Sequence, residues 1–212
     1  LELKKAMSSV PFNQSKGMKW LVTHMPAEDL KNVKAEFLLL NSNIAYQARE
    51  NTKWGQEIPE NLFFSYVLPY ANLNETVESW RHDFFNKFYP MVKDMQSAYD
   101  AVVFLNQKIF DELGVIYSTK RPKADQSPYE SINAGMASCT GLSILLIDVC
   151  RSVGIPARFV GTPSWYNNSG NHSWVEIWDG EWHFTGAAEP TEDRLNESWF
   201  EDLASKAEKG SN

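Results

Sequence analysis

The stretch HSWVEIWDGEWHFTGA, residues 172–187, sets two runs of alternating side chains on either side of Asp179-Gly180. Period-two alternation marks a half-buried strand, and Asp-Gly accepts the positive φ values of a type I′ turn, so an antiparallel hairpin is predicted here. Nothing similar occurs in the first hundred residues. There apolar side chains recur at helical spacing, as at Leu30, Val33, Phe37, Leu40 and Ile44. A chain that lays down helices first and a hairpin afterwards does not alternate strand and helix, so the order predicts an α+β fold.

Helical spacing resumes in ETVESWRHDFFNKFYPMV as far as Pro90, and again in QSAYDAVVFLNQKIFDELG, with Gly114 as its stop. The next segment, STKRPKADQSPYESINAGMAS, is polar and is expected to be a long functional loop. A further helix is predicted from about Cys139 to Val153, ended by Gly154 with Pro156 behind it. ARFVGT reads as a strand, and the tail from Asp193 returns to helical spacing with Leu195, Trp199, Phe200 and Leu203. Two parts are therefore expected: a helical N-terminal region over 1–95 packed on a core over 96–212 that ends in a helical tail.

Hydrophobic residues make up 43% of the chain, enough for an ordinary core without staples. The formal charge of −7 argues against nucleic acid or an anionic membrane as partner, because both require a basic surface. No segment approaches the roughly 20 apolar residues that span a bilayer. The chain opens on Leu1, which reads as a trimmed or mature form, and it closes on KGSN soon after a helix-like run, so further C-terminal domains are expected in the native chain. Two sequons, at Asn74 and Asn196, fit an extracytoplasmic setting at the periplasm or cell surface.

The two cysteines, Cys139 and Cys150, stand eleven residues apart on one predicted helix, about 16 Å at 1.5 Å per residue. A disulfide needs Cα atoms within about 7 Å, so they are not expected to pair. Cys150, between Val149 and Arg151 in an apolar run, reads as core. Cys139 falls at the helix N-terminus, where unpaired N–H groups and the dipole favour a thiolate. Ser138 precedes it as a cap, and Gly141 leaves the first turn bare for a substrate carbonyl.

A thiolate nucleophile needs a base. With Asp179-Gly180 as a two-residue turn, His172 lies opposite Ala187, Trp174 opposite Thr185 and Glu176 opposite His183, all six on one face. Continuing that face makes Glu189 a diagonal neighbour of His172, about 7–8 Å away between backbones. His183 is a competing base nearer the turn, and His24 and His82 sit in polar helical contexts. His172 and Glu176 are roughly 13 Å apart along a strand, and no HxxxH or CxxC occurs, so no metal or other cofactor is expected.

Taken together, ASCTGLSILLIDVCRSVGIPARFVGT and NHSWVEIWDGEWHFTGAAEP resemble the transglutaminase-like superfamily of papain-like cysteine enzymes. The points of likeness are Cys139 opening a helix, RSVGIPAR over 151–158, His172 and Trp174 in an H-x-W-x-E pattern, and Trp182. The resemblance spans about residues 100–190. It implies a papain-like core, with the Cys-bearing helix packed on an antiparallel sheet, and acyl transfer at amide bonds of a protein, peptide or cell-wall-type substrate. The family acid usually comes four residues after the tryptophan, and here that place holds Gly186. A bacterial subgroup with a GA-x-EP signature at this point suggests Glu189 as the replacement. Catalytic roles are thus expected for Cys139, His172 and Glu189, and substrate contacts for Trp165, Tyr166 and Trp174. The alternative is an inactive module of the same fold that binds peptide or glycan.

Overall fold

The computed structural model describes residues 1–206 of the 212. The KGSN end, on which the expected continuation rests, lies outside the described residues. The chain forms two compact units. The first comprises Leu1–Ala71, Val77–Gln96 and Asp148–Pro156; the second comprises Asn72–Thr76, Ser97–Ile147 and the chain from Ala157 onward.

The first unit contains helices α1 (Glu2–Ser9), α2 (Ser15–His24), α3 (Asp29–Asn32), α4 (Ala35–Asn51), α5 (Lys53–Glu57), α6 (Glu60–Tyr66) and α7 (Trp80–Val92). Met18, Leu21, Leu38, Ala45, Phe63, Val67 and Leu68 build its apolar centre. The segment read as continuous from Leu30 to Ile44 is two helices, because Val33 is extended at φ −71° and ψ 136°. Helix α7 passes through Pro90 and ends at Val92. The proline forfeits one backbone hydrogen bond in the final turn, and its fixed φ is still helical.

A buried guanidinium ties this unit together. Arg81 Nε donates to Asn41 Oδ1 at 2.7 Å, Nη1 to the Arg151 carbonyl at 2.9 Å, and Nη2 to the carbonyls of Val67 and Pro69 at 2.8 Å each. The carbonyls at the end of α6 have no helical partners of their own, and a cation at a helix C-terminus satisfies them. Burial, reinforced by nearby Arg151 and opposed by Asp148, brings the Arg81 pKa down to about 9.

The second unit holds α8 (Ala98–Leu113), β1 (Ile116–Tyr117), α9 (Pro128–Ala134), β2 (Met136–Ala137), α10 (Cys139–Ser152), β3 (Ala157–Thr162), β4 (His172–Asp179), β5 (Glu181–Thr185) and α11 (Glu201–Ser205), apart from the last turns of α10. Strands β3, β4 and β5 form an antiparallel sheet in that order, and β1 pairs with β2 in parallel. Helix α8 starts at Ser97, whose side chain accepts from the Asp100 N–H, and stops at Gly114 with φ 66°. Residues 141–152 of α10 are buried without exception, as a helix apolar nearly all round must be. The polar stretch expected to be a loop contains α9 and β2. Its organising signal is a capping box, in which the Glu130 carboxylate accepts from the Ser127 N–H at 2.9 Å.

The hairpin forms where predicted, but one residue out of the predicted register. Val175 faces Thr185, Glu176 faces Phe184, Ile177 faces His183 and Trp178 faces Trp182. A type I′ turn needs positive φ at both central residues. Gly180 has φ 77°, whereas Asp179 is not among the positive-φ residues. The Asp179 side chain instead accepts the Tyr99 N–H at 2.9 Å, in the first turn of α8. His183 and Thr185 consequently share the face of Val175 and Ile177, away from His172.

Among the described residues, the tail is helical only over Glu201–Ser205. Asn196, at φ 63°, donates its N–H to the Phe184 carbonyl and accepts the Phe184 N–H through Oδ1, both at 2.9 Å. That exchange extends the edge of β5 and prevents a helix. Among the described residues, no helix is long and apolar enough to cross a membrane.

Replacing Arg81 with Leu strands the carbonyls of Val67, Pro69 and Arg151. The expected loss is about 1–3 kcal/mol for each carbonyl left unsatisfied, read as a lowered midpoint in urea unfolding; an unchanged midpoint contradicts this role.

Candidate active site

Helix α10, the sheet and the turn after β5 bring Cys139, His172 and Glu189 together. Cys139 opens α10 and is partly exposed, whereas Cys150 is buried, and both are free thiols. The Cys139 thiol and the His172 imidazole lie close enough to shift each other's charge. The Cys139 sulfur also lies 4.0 Å from Ser173 Oγ, which in turn meets Thr140 Oγ1 at 3.2 Å. His172 Nε2 meets Glu189 Oε2 at 3.2 Å. With Nε2 committed to the carboxylate, Nδ1 is the nitrogen left for the thiol. All of these groups lie in the second unit.

The electrostatics follow from this geometry. Burial raises the Cys139 pKa, but the His172 hydrogen bond and charge, helped by the Ser173 backbone and hydroxyl, outweigh it and leave the thiol below its ordinary value of 9.0. Burial also disfavours a charged imidazole. The hydrogen bond to Cys139 and the bond and charge of Glu189 more than offset this, lifting His172 to about 9. Cys150 lies elsewhere in chemistry as well as in space, since burial drives its thiol far above the usual range.

Position 186 explains why an acid can arrive three residues late. A Cβ built on Gly186 would collide with the Glu189 carboxylate and come within 2.9 Å of the Glu189 Cβ. The Glu189 side chain therefore fills the space that a residue-186 side chain would need. It gets there through a tight turn, with the Glu189 N–H donating to the Gly186 carbonyl at 3.2 Å and Ala188 held at φ 61°. Under the observed register an uninterrupted strand would have put Glu189 on the face away from His172. The turn, not the alternation, delivers the carboxylate.

Asn106 on α8 holds that turn. Its Nδ2 donates to Thr185 Oγ1 at 3.0 Å and to the Gly186 carbonyl at 2.9 Å, while its Oδ1 accepts the Ala188 N–H at 3.0 Å. The hint in the sequence is Asn106, an amide on the stripe otherwise formed by Ala98, Ala101, Val102, Leu105, Ile109 and Phe110.

The other expected residues take varied positions. Trp165 is 5% exposed and stacks on Trp174 at 6.3 Å between ring centres, so it packs behind the site. Trp174 is half-buried and also stacks on Phe200 at 4.9 Å. Tyr166 is exposed. The rings closest to the imidazole are Trp199 at 4.8 Å and Phe200 at 4.9 Å, which sequence reading had spent on a tail helix. Trp199 keeps 59% of its surface open beside His172. His183 is engaged with Asn196 and Tyr99. Gly141 packs against Ala137, whose Cβ would be 2.9 Å from an added methyl, so its bareness serves the interior and not a substrate. The Ser138 hydroxyl donates to the Ala124 carbonyl at 3.3 Å.

Residues 89–187 match the family model of the transglutaminase-like superfamily. The matched segment lies in a region of mixed helix and antiparallel sheet, preceded in the chain by a helical N-terminal region. Among solved structures, one from Cytophaga hutchinsonii described as a "Putative Cysteine Protease" is similar at 18% identity and a TM-score of 0.49, over 66% of this chain and 46% of that one. The chain thus spans less than half the length of that protein. No curated protein matches the chain.

Gly186→Ala should expel the Glu189 carboxylate from His172. The expected result is a His172 titration moved down from about 9 toward the ordinary 6.5, followed by NMR of labelled imidazoles; an unmoved titration would show that the carboxylate does not depend on a bare residue 186.

Proposed function

We propose that this protein is a cysteine enzyme that cleaves amide bonds through a thioester, with water as the acceptor. Cys139 is the nucleophile, His172 the general base and acid, and Glu189 the group that orients and charges the imidazole. The observation that carries this reading is the His172 Nε2–Glu189 Oε2 contact at 3.2 Å, beside a Cys139 thiol that the imidazole draws below its ordinary value.

The chemistry runs in two halves. The Cys139 thiolate adds to the amide carbonyl, and the developing oxyanion accepts from N–H groups at the start of α10. As the tetrahedral species collapses, the C–N bond breaks and His172 gives its proton to the leaving amine. Water then attacks the thioester with His172 as base, releasing the acid and restoring the thiol. Glu189 keeps the imidazole oriented and favours its charged form throughout. A protein, peptide or cell-wall-type amide is the substrate class. The alternative is a silent binding module, suggested by the glycine in the acid's usual place; the Glu189 carboxylate 3.2 Å from His172 favours the enzyme.

The pH profile tests the assignment. Turnover requires the thiolate, so it rises with pH through the Cys139 pKa, on the acid side of 9.0. It also requires a protonated imidazole for the leaving amine, so it falls as pH rises through about 9. Cys139→Ala should abolish turnover of a peptide amide library and iodoacetamide labelling together. Labelling that survives the change would indict Cys150 and sink the reading. Glu189→Gln should cut kcat roughly 10²–10⁴-fold and pull the alkaline limb to lower pH. Product that accumulates only when a primary amine is supplied would reassign the acceptor.

A further inference from the structure

We infer that Asn106 is a positioning residue for the acid: it locks the 185–188 turn into the one shape that carries Glu189 back over Gly186 to His172. The inference deepens the Cys139–His172–Glu189 reading and rests on it.

Asn106 is 3% exposed, in a helix whose other buried residues, among them Ala101, Val102, Leu105, Ile109 and Phe110, are all apolar. A buried side-chain amide in that company is costly unless its donors and acceptor are used. All of them are used, and on one target: both Nδ2 protons and Oδ1 go to residues 185, 186 and 188. The bonds bracket the point where the chain leaves β5. Thr185 is the last residue of the strand, the Gly186 carbonyl is also the acceptor of the Glu189 N–H, and Ala188 holds the positive φ of 61°. An L-residue at such a φ costs about 1 kcal/mol or more, so the turn needs an external hold. Asn106 supplies it from a helix that packs on β4, the strand that begins with His172. The same scaffold therefore positions both ends of the His172–Glu189 bond.

A merely structural asparagine would change stability without changing the charge state of His172. The groups that set that charge are Cys139 and Glu189, so an Asn106 effect transmitted through Glu189 has a distinct signature. The experiment is a double-mutant cycle on the intact chain, with Asn106→Ala, Glu189→Gln and the pair, folding being checked by far-UV circular dichroism. The readouts are the His172 pKa by imidazole NMR and the pH dependence of Cys139 alkylation by iodoacetamide. Each single change should lower the His172 pKa from about 9, and the pair should add little to the stronger single effect. Asn106→Ser removes the amide without adding a charge, and replaces Asn106→Ala in the cycle if the latter does not fold.

Three results overturn the inference. An Asn106 variant with an unmoved His172 pKa, while Glu189→Gln shifts it, removes Asn106 alone and leaves the triad reading standing. Strictly additive shifts in the pair do the same, because they put Asn106 on a separate route. A Glu189→Gln protein whose His172 pKa and turnover are unchanged defeats the triad reading, and the inference falls with it.

Discussion

The hydrogen bond between His172 Nε2 and Glu189 is the interaction on which the site turns. His172 is buried among Trp165, Trp199 and Phe200, surroundings that would ordinarily keep an imidazole neutral. The carboxylate reverses that preference and occupies one ring nitrogen, which leaves the other for Cys139. The aromatic walls then work with the carboxylate: they bury the imidazole side of the pair, where attraction grows as the local dielectric falls, while Glu189 stays partly open to solvent.

The two units solve a similar packing problem with different side chains. In each, a polar group on a helix is buried and spends its donors on carbonyls where another element ends. Arg81 does this for the chain after α6, and Asn106 for the chain after β5. Both places lie where a backbone leaves regular structure and its carbonyls lose their repeating partners. The cation reaches three segments of chain at once, whereas the amide reaches one turn and can also accept from it. That difference suits Arg81 to joining segments and Asn106 to fixing a shape.

Strong periodicity and punctuation made much of the core readable. Helix α10, its stop at Gly154, the hairpin at Gly180 and the helix ending at Gly114 all follow from apolar spacing and glycine placement. The register was not readable, because a single tertiary bond from Asp179 to the start of α8 moved the pairing by one residue. The meeting of Glu189 with His172 was anticipated, but for a different physical reason: alternation suggested it and a turn produces it. Asn106 escaped because a lone amide in an apolar stripe announces only that it must be satisfied, not by what. Trp199 and Phe200 carried helical spacing in the sequence, and the exchange of bonds between Asn196 and Phe184 overrode it.

The shared space of Gly186 and Glu189 makes the two positions interdependent in descent. Starting from a chain with a side chain at 186, a glutamate at 189 has nowhere to fold; starting from this chain, an acid restored at 186 meets one already there. The two positions form one steric unit, in which a side chain at 186 and the carboxylate of 189 compete for a single volume.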